Sequence, residues 1–323
     1  DGEPALLLPA WLALAAIACW PWGDLRIPAA VMSLLFMIFD GVELALLPRM
    51  GRSFGAVTPP LLALTLVRSS LTFAVGLVWG NWPTLTAVTV MHLVITAISV
   101  YATWIEPFDV QVSYEGLHSS KLDGSAALRL LHISDLHVEK ITLREQRVLD
   151  RITRLDPDLI VLTGDYLNLS SVYDPESHEA VRDHLRKICE RSRGPVYAIT
   201  GSPPVDLKGV VPQIFEGLPV RWLMDEVEPL QIGGHRIYIA GLRCTRERSR
   251  DAPRLRRLLN EVPANGFTLL LYHSPDLMPE AAELGVDLYL CGHTHGGQIR
   301  LPFVGALVTS SEFWKRYEMG RYE

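Results

Sequence analysis

Cysteine is scarce in this chain of 323 residues, and its four cysteines form no CxxC pair: Cys19, Cys189, Cys244 and Cys291. This wide spacing argues against a disulfide framework and against a zinc site built from cysteines. Basic charge is not in excess either, because 30 lysines and arginines stand against 36 aspartates and glutamates. A protein that binds long nucleic acids usually carries a basic surface, so we expect no nucleic-acid partner.

Charge is nearly absent from the first third of the chain. Residues 4–22 are uncharged, and residues 85–104 are interrupted only by His92. Each run is long enough to cross a bilayer as a helix, which takes about 20 residues. Two weaker candidates are residues 27–47, with Asp40 and Glu43, and residues 57–79, with Arg68. We therefore predict a transmembrane region of about four helices over residues 1–105. The alternative is a hydrophobic hairpin with interfacial helices.

The charged residues of this region predict both a contact and an orientation. A charge at the bilayer centre costs a few kcal/mol, so we expect Arg68 to face other helices and to pair with Asp40 or Glu43. The loop PRMGRS carries Arg49 and Arg52, whereas the other short loops are nearly neutral. The positive-inside tendency places PRMGRS in the cytoplasm. We thus predict a multi-pass inner (cell) membrane protein whose C-terminal domain, residues 106–323, is cytoplasmic.

From residue 106 onward, short apolar runs alternate with helix-like segments. In LREQRVLDRITRL, Val148, Ile152 and Leu155 recur at helical spacing, whereas the apolar runs are continuous and rich in β-branched residues, as buried strands are. The strand-like runs are LRLLHIS, DLIVLTGD, PVYAIT, RIYIAGL, FTLLLYHS and VDLYLCGH. This pattern predicts a layered α/β domain with its active groups in loops at strand ends.

Four of these strand ends carry aspartate or histidine. The six residues are Asp135 and His137 in SDLH, Asp165 in TGD, His273 in YHS, and His293 and His295 in GHTH. In the D-x-H motif the aspartate and the histidine are two residues apart, so on an extended backbone both side chains project to the same side. Singly, an aspartate after glycine is usually a turn residue, and a lone histidine is usually an ordinary polar side chain. The combination points to a metal site much more strongly than any one motif does.

The order D-x-H, G-D, H, G-H-x-H resembles the calcineurin-like metallophosphoesterase superfamily over residues 129–302. GHTHGGQIRLP and the preceding apolar spans are similar to its membrane-anchored bacterial branch, which includes UDP-2,3-diacylglucosamine pyrophosphatase-like phosphoesterases. The resemblance implies a four-layer β-sandwich flanked by helices. It also implies hydrolysis of a phosphoester or pyrophosphate, with a lipid-linked substrate suggested by the membrane spans, by metal-activated water at a dinuclear site. Members usually continue with further strands beyond the segment similar to residues 320–323, which predicts a C-terminal truncation.

The resemblance also assigns the ligands. Asp135, His137 and His295 would hold one ion, His273 and His293 the other, and Asp165 would bridge the two. Mixed imidazole and carboxylate donors favour Mn, Fe or Zn over Ca.

The sequence TGSPPVD, residues 200–206, departs from the family pattern. The corresponding strand normally ends in Gly-Asn-His followed by an acid, whereas Ser202 and Pro203 stand here. A serine hydroxyl is a weaker and shorter ligand than an amide oxygen, and proline has no side-chain donor. The second metal site is therefore expected to be weakened, no catalytic acid is assigned, and Asp206 is a candidate replacement for that acid. The alternative function is a metal-binding pseudoenzyme with a structural or interaction role.

Two further features have competing interpretations. The segment LRCTRERSRDAPRLRR contains seven arginines, which would suit phosphate or anionic lipid headgroups. The sequence favours instead a solvated loop leading into a helix whose apolar face contains Leu255, Leu258, Leu259 and Val262. The intramembrane charges Asp40, Glu43 and Arg68 also permit a transporter-like protein with a regulatory domain.

Overall fold

The computed structural model describes residues 4–52, 55–122, 126–297, 299–301 and 303–323. The chain divides into two compact units. One comprises Asp1–Gln111 with Thr142–Arg144, and the other comprises Val112–Ile141 with Glu145–Glu323.

The described residues of the first unit form four apolar helices: α1 (Pro4–Cys19), α2 (Arg26–Arg49), α3 (Thr58–Val78) and α4 (Trp82–Val100). They match the four predicted apolar runs. Asn81 caps α4, because its side chain accepts a hydrogen bond from the backbone N–H of Thr84 at 3.0 Å. Between α1 and α2 the backbone leaves helical geometry at Gly23, with φ 55° and ψ −120°.

Three stretches of the described residues are long and apolar enough to cross a membrane: Pro9–Arg49, Thr58–Val78 and Trp82–Phe108. The first contains both α1 and α2, and the Trp11 ring of α1 packs against Gly41 of α2. The number of helices that cross a membrane, and the cytoplasmic orientation, therefore stay predictions.

Arg68 is completely buried in this unit and pairs with Asp40, one of the two predicted partners. Its Nε lies 2.7 Å from Asp40 Oδ2, and its Nη2 lies 2.8 Å from Oδ1, so the contact is bidentate. Nη1 also donates to the carbonyl oxygen of His92 at 2.9 Å, and Nη2 to Thr96 Oγ1 at 2.8 Å. The guanidinium group thus has several hydrogen-bond acceptors inside the bundle.

Glu43, the other predicted partner, accepts hydrogen bonds from two hydroxyl groups instead. Ser99 Oγ lies 3.1 Å from Oε2 and Thr103 Oγ1 lies 2.7 Å from Oε1. Both carboxylates of the bundle therefore have hydrogen-bond donors within it.

The second unit contains two four-stranded sheets. The first consists of β1 (Leu130–Ile133), β2 (Leu159–Leu162), β3 (Val196–Ala198) and β4 (Val220–Trp222), which are parallel and adjacent in that order. Its connections contain α5 (Leu143–Leu155), α6 (Pro175–Arg191) and α7 (Val211–Phe215). The second sheet consists of β5 (Glu226–Ile232), β6 (His235–Gly241), β7 (Phe267–Leu271) and β8 (Leu288–Leu290).

In the second sheet β5 pairs antiparallel with β6, while β6, β7 and β8 are parallel. Its connections contain α8 (Arg248–Leu259) and α9 (Met278–Glu283). A short antiparallel pair, β9 (Arg300–Leu301) and β10 (Gly305–Ala306), follows the last motif.

The layers form because successive side chains along each strand point to opposite faces of the sheet. Leu159 and Val161 of β2 pack with residues of β6 and β7 between the sheets. Ile160 and Leu162 point the other way and pack with α5 and α6. Leu270 of β7 packs in a third cluster with α8 and α9. The order is helix, sheet, sheet, helix, which confirms the predicted four-layer α/β fold.

The six predicted strands are confirmed, but β4, β5 and the β9–β10 pair were not predicted. β5 contains both half-buried and exposed residues and includes Pro229, so it lacks the continuous apolar run of a central strand.

The arginine-rich segment forms α8 and the loop before it, as the favoured interpretation predicted. Leu255 and Leu258 are buried against the second sheet. Five of the seven arginines contact acidic side chains: Arg243 and Arg254 pair with Asp225, Arg248 with Glu280, Arg250 with Glu247, and Arg256 with Glu283. Most of this positive charge is therefore neutralised within the unit.

Candidate metal centre

The fold brings all six predicted residues together at the ends of four strands. Their donor atoms form two groups, in each of which all atoms lie within 4.8 Å of one another. The groups are Asp135, His137, Asp165 and His295, and Asp165, His273 and His293. Asp165 belongs to both groups, which is the position expected of a bridging carboxylate.

The backbone of these residues is strained. Positive φ angles occur at Asp135 (52°), His137 (43°), Asp165 (55°), His293 (75°) and His295 (50°). Residues other than glycine rarely adopt this region, which costs on the order of 1–3 kcal/mol each and is found mainly at functional sites. The extended backbone predicted for D-x-H is therefore wrong. The Asp135 and His137 side chains converge because the chain turns there, with 3.9 Å between Asp135 Oδ1 and His137 Nε2.

Glycines allow the strand-end loops to touch. A Cβ atom on Gly164 would lie 2.2 Å from the backbone nitrogen of Gly201, and one on Gly201 would lie 2.2 Å from that of Asp165. A Cβ on Gly292 would lie 1.9 Å from Asp135 Oδ2. Gly164 and Gly201 each face backbone atoms that cannot move aside, so glycine is required at both positions, whereas a Cβ on Gly292 would displace the Asp135 carboxylate.

In the first group, imidazole nitrogens and carboxylate oxygens face each other. His137 donates from Nδ1 to the carbonyl oxygen of Leu167 at 3.0 Å, so its Nε2 lone pair is directed into the group. That atom lies 3.1 Å from His295 Nε2, which in turn lies 3.1 Å from Asp135 Oδ1. The backbone N–H of His293 donates to Asp135 at 3.0 Å and helps to fix the carboxylate.

The second group is more deeply buried. His273 is fully buried and donates from Nδ1 to the carbonyl oxygen of Thr163 at 2.7 Å. Its Nε2 lies 3.2 Å from Asp165 Oδ2. The hydroxyl of Ser202 lies 3.2 Å from His273 Nε2 and 3.2 Å from His293 Nδ1. Carbonyl groups of the β2 end thus orient imidazoles in both groups.

The charges within the site favour a bound cation. Burial opposes ionisation of Asp135, but its hydrogen bond with His295 and the charge of His273 hold its pKa below the usual range. Burial, His273 and Arg246 lower the pKa of His293 to about 4, so this imidazole is neutral at pH 7. Despite burial, the hydrogen bond with Asp165 raises the pKa of His273 to about 9. A proton and a cation therefore compete for the His273 Nε2 lone pair.

The donor set fits a divalent transition ion. Among the described residues, the ion pairs of Asp135 and Asp165 are made with histidines and not with lysine or arginine. Carboxylate and neutral imidazole are ligands suited to Mn, Fe and Zn. Burial raises the pKa of the nearby Cys291 thiol to about 12, so no thiolate is expected to compete.

The loop TGSPPVD has a structural role that the sequence did not predict. The backbone N–H of Val205 donates to the carbonyl oxygen of Ser202 at 2.9 Å, forming a turn with Pro203 and Pro204 exposed. This turn carries the buried Asp206 back to the strand end.

Asp206 is buried and held by backbone groups, so its role as a replacement acid stays a prediction that its position does not support. Its two carboxylate oxygens accept backbone hydrogen bonds from Gly201 (2.7 Å), Asp165 (2.9 Å) and Tyr166 (3.0 Å). Asp206 therefore fastens the loop after β3 to the loop after β2.

Arg246 is a further residue near the site. It is exposed, has a positive φ of 61°, and its charge contributes to the lowered pKa of His293. Within the part of the chain that the structure describes, its side chain makes no ion pair. The arginine-rich pattern singled out its segment but could not distinguish it from its paired neighbours.

Comparison with known proteins identifies the family. The profile described as calcineurin-like phosphoesterase matches residues 128–297, more than half of the chain.

Three bacterial relatives illustrate the similarity. The uncharacterised metallophosphoesterase YkuE of Bacillus subtilis (strain 168) is 29% identical over 231 residues, covering 69% of this chain and 77% of YkuE. The phosphodiesterase YaeI of Escherichia coli (strain K12) is 27% identical over 206 residues, 61% of this chain and 71% of YaeI. The UDP-2,3-diacylglucosamine pyrophosphatase LpxG of Chlamydia trachomatis is 23% identical over 216 residues, 54% of this chain and 66% of LpxG.

The matched region contains β1 to β8 and all six clustered residues. The chain belongs to the calcineurin-like phosphoesterase family, whose members are metal-dependent hydrolases.

Proposed function

We propose that this chain is a membrane-anchored phosphoesterase that hydrolyses a phosphoester or pyrophosphate bond of a lipid-linked substrate at a dinuclear metal site. The observation that carries the proposal is the pair of donor groups that share Asp165. Two groups joined by one carboxylate are the arrangement needed to hold two ions close together.

Each of the two donor groups is proposed to bind one metal ion. Asp135, His137 and His295 hold the first ion, His273 and His293 hold the second, and Asp165 bridges them. We propose Mn, Fe or Zn as the native ions because of the mixed oxygen and imidazole donors. Two such ions would supply an activated water nucleophile and stabilise charge that develops on the phosphoryl oxygens.

The protein itself contributes orientation and charge. The carbonyl oxygens of Leu167 and Thr163 hold His137 and His273 with Nε2 facing inward. Arg246, exposed beside His293, is suited to contact an anionic substrate.

The apolar helices and the relatives support the membrane part of the proposal. The three stretches that could cross a membrane would tether the site near lipid. The relative LpxG is a UDP-2,3-diacylglucosamine pyrophosphatase, which acts on a lipid-linked substrate. We propose the same substrate class here, with the phosphoesterase unit on the cytoplasmic side, because two basic residues, Arg49 at the end of α2 and Arg52 after it, lie between the apolar stretches of α2 and α3.

The test is metal analysis and hydrolysis by the full chain in detergent micelles. After chelation and reloading with Mn²⁺, we expect two ions per chain and turnover of bis(p-nitrophenyl) phosphate. Asp165→Asn should reduce turnover to background and lower the ion count, because it removes the shared ligand. The matched control is Asp150→Asn, since Asp150 is an exposed residue of α5; it should change neither quantity. Wild-type protein that binds metal but hydrolyses neither phosphodiesters nor pyrophosphates would contradict the proposal.

A metal-binding pseudoenzyme is the second candidate. It is favoured by the TGSPPVD loop, because Pro203 has no donor and Asp206 is engaged by three backbone N–H groups. One tightly held ion without turnover would support this candidate.

A further inference from the structure

Ser202 occupies a central position in the second donor group. Its Oγ lies 3.2 Å from His273 Nε2, 3.2 Å from His293 Nδ1 and 3.3 Å from Asp165 Oδ2. The residue is only 3% exposed. The hydroxyl is therefore directed at the three proposed ligands and not at solvent.

The distances are those of donors arranged around a common centre. A hydroxyl bonded to a single partner usually approaches it to about 2.7–2.8 Å. All three contacts of Ser202 are longer than this and nearly equal, and a further distance within the group, between His273 Nε2 and Asp165 Oδ2, is also 3.2 Å. Four donors about 2.0–2.1 Å from an ion in a tetrahedral arrangement would lie about 3.3–3.4 Å apart.

The backbone of Ser202 also orients the shared carboxylate. Its N–H donates to Asp165 Oδ1 at 2.5 Å, which leaves Oδ2 facing both groups. Oδ2 lies 3.8 Å from His137 Nε2 and 3.2 Å from His273 Nε2. A displacement of Ser202 would therefore disturb the bridging ligand as well as its own contact.

We propose that Ser202 Oγ is the fourth protein donor to the second metal ion. This inference rests on the proposed dinuclear site and specifies how the altered loop completes it. A neutral hydroxyl is a weaker donor than a carboxylate, and the second group contains one carboxylate whereas the first contains two. The second ion should consequently bind more weakly than the first and load after it.

The experiment replaces Ser202 with a sulfur donor. Full-length Ser202→Cys in detergent is titrated with Co²⁺, because a thiolate bound to Co²⁺ gives a sulfur-to-cobalt charge-transfer band in the near ultraviolet. We expect this band to grow with the second equivalent of Co²⁺ and to be absent from the wild type. The matched control is Ser274→Cys, since Ser274 is equally buried and adjacent to His273 but its hydroxyl contacts Asp276 at 2.7 Å. It should give no band.

A second variant gives an independent measurement. In Ser202→Ala, the affinity for the second Mn²⁺, measured by calorimetric titration, should fall at least about tenfold, while the affinity for the first should change less than about threefold. Circular dichroism establishes that each variant is folded. If Ser202→Cys does not fold, the alanine variant decides the question.

Several results would overturn the inference. The first is that Ser202→Cys binds two Co²⁺ ions but shows no sulfur-to-cobalt charge-transfer band. The second is that Ser202→Ala binds the second Mn²⁺ ion as tightly as the wild type does. The third is that the wild type binds only one ion. Failure of the proposed enzymatic function is distinguishable, because it would appear as wild-type protein without turnover, whatever the spectrum of Ser202→Cys shows.

Discussion

Two buried charged clusters in this chain are organised in opposite ways. In the apolar bundle, Arg68 meets Asp40 through two short contacts of 2.7 and 2.8 Å, and further acceptors complete the guanidinium group. In the metal centre, carboxylate oxygens and imidazole nitrogens converge on one another. The first cluster is complete in itself, whereas the second is a set of donor atoms that could hold a metal ion. The bundle charges are therefore best explained as structural contacts, which weakens the transporter-like interpretation.

The largest effect on stability should come from breaking the Arg68–Asp40 pair of the apolar bundle. Arg68→Met leaves Asp40 buried without its cation, which typically costs about 3–5 kcal/mol. We expect this loss in the unfolding free energy of the bundle, followed by circular dichroism of the full chain during titration with sodium dodecyl sulfate. The double variant Asp40→Leu with Arg68→Met should recover most of the loss, because no charge is left unpaired. A single variant within about 1 kcal/mol of the wild type would show that the pair is not needed.

A smaller effect should come from the carboxylate that supports the metal centre without belonging to it. In Asp206→Asn, the amide group cannot accept all three backbone hydrogen bonds, and a buried unsatisfied donor costs about 1–3 kcal/mol. Urea unfolding of the phosphoesterase unit in the full chain should show this loss. Asp150→Asn serves again as the control. An unchanged urea midpoint would mean that water or a shift of the loop replaces these contacts.

The smallest effect on the unfolding free energy should come from changing the metal centre itself when no metal is present. In metal-free buffer at about pH 10, where His273 is neutral and has no charge to pair with Asp165, Asp165→Asn should change the unfolding free energy by less than about 1 kcal/mol, because the amide oxygen can still accept the Ser202 N–H. With Mn²⁺ at about 1,000 times its dissociation constant, the wild type should gain about 4 kcal/mol and the variant much less. A large loss of unfolding free energy in metal-free buffer would contradict this prediction. It would show that the metal centre stabilises the fold without a cation, as the Arg68–Asp40 pair does.

The parts that the sequence predicted are those encoded in local patterns. β2 is a continuous apolar run, and His293 and His295 follow their strand in an unbroken motif. The role of Asp206 was not predictable, because its partners Asp165 and Tyr166 lie about 40 residues earlier in the chain. Likewise the convergence of Ser202 on His273 and His293 depends on how two sheets pack. β5 was missed because an edge strand with polar residues lacks the apolar signal.

The close contacts at the three glycines determine when the metal centre is assembled. Because Gly164, Gly201 and Gly292 let neighbouring segments pack in direct contact, we expect these segments to be fixed in place once the sheets have formed. The conformational entropy of arranging the ligands is thus lost during folding and not during ion binding, which is the property of a preorganised receptor. The rate of ion capture should then be governed by the release of water from the ion, and not by rearrangement of the protein.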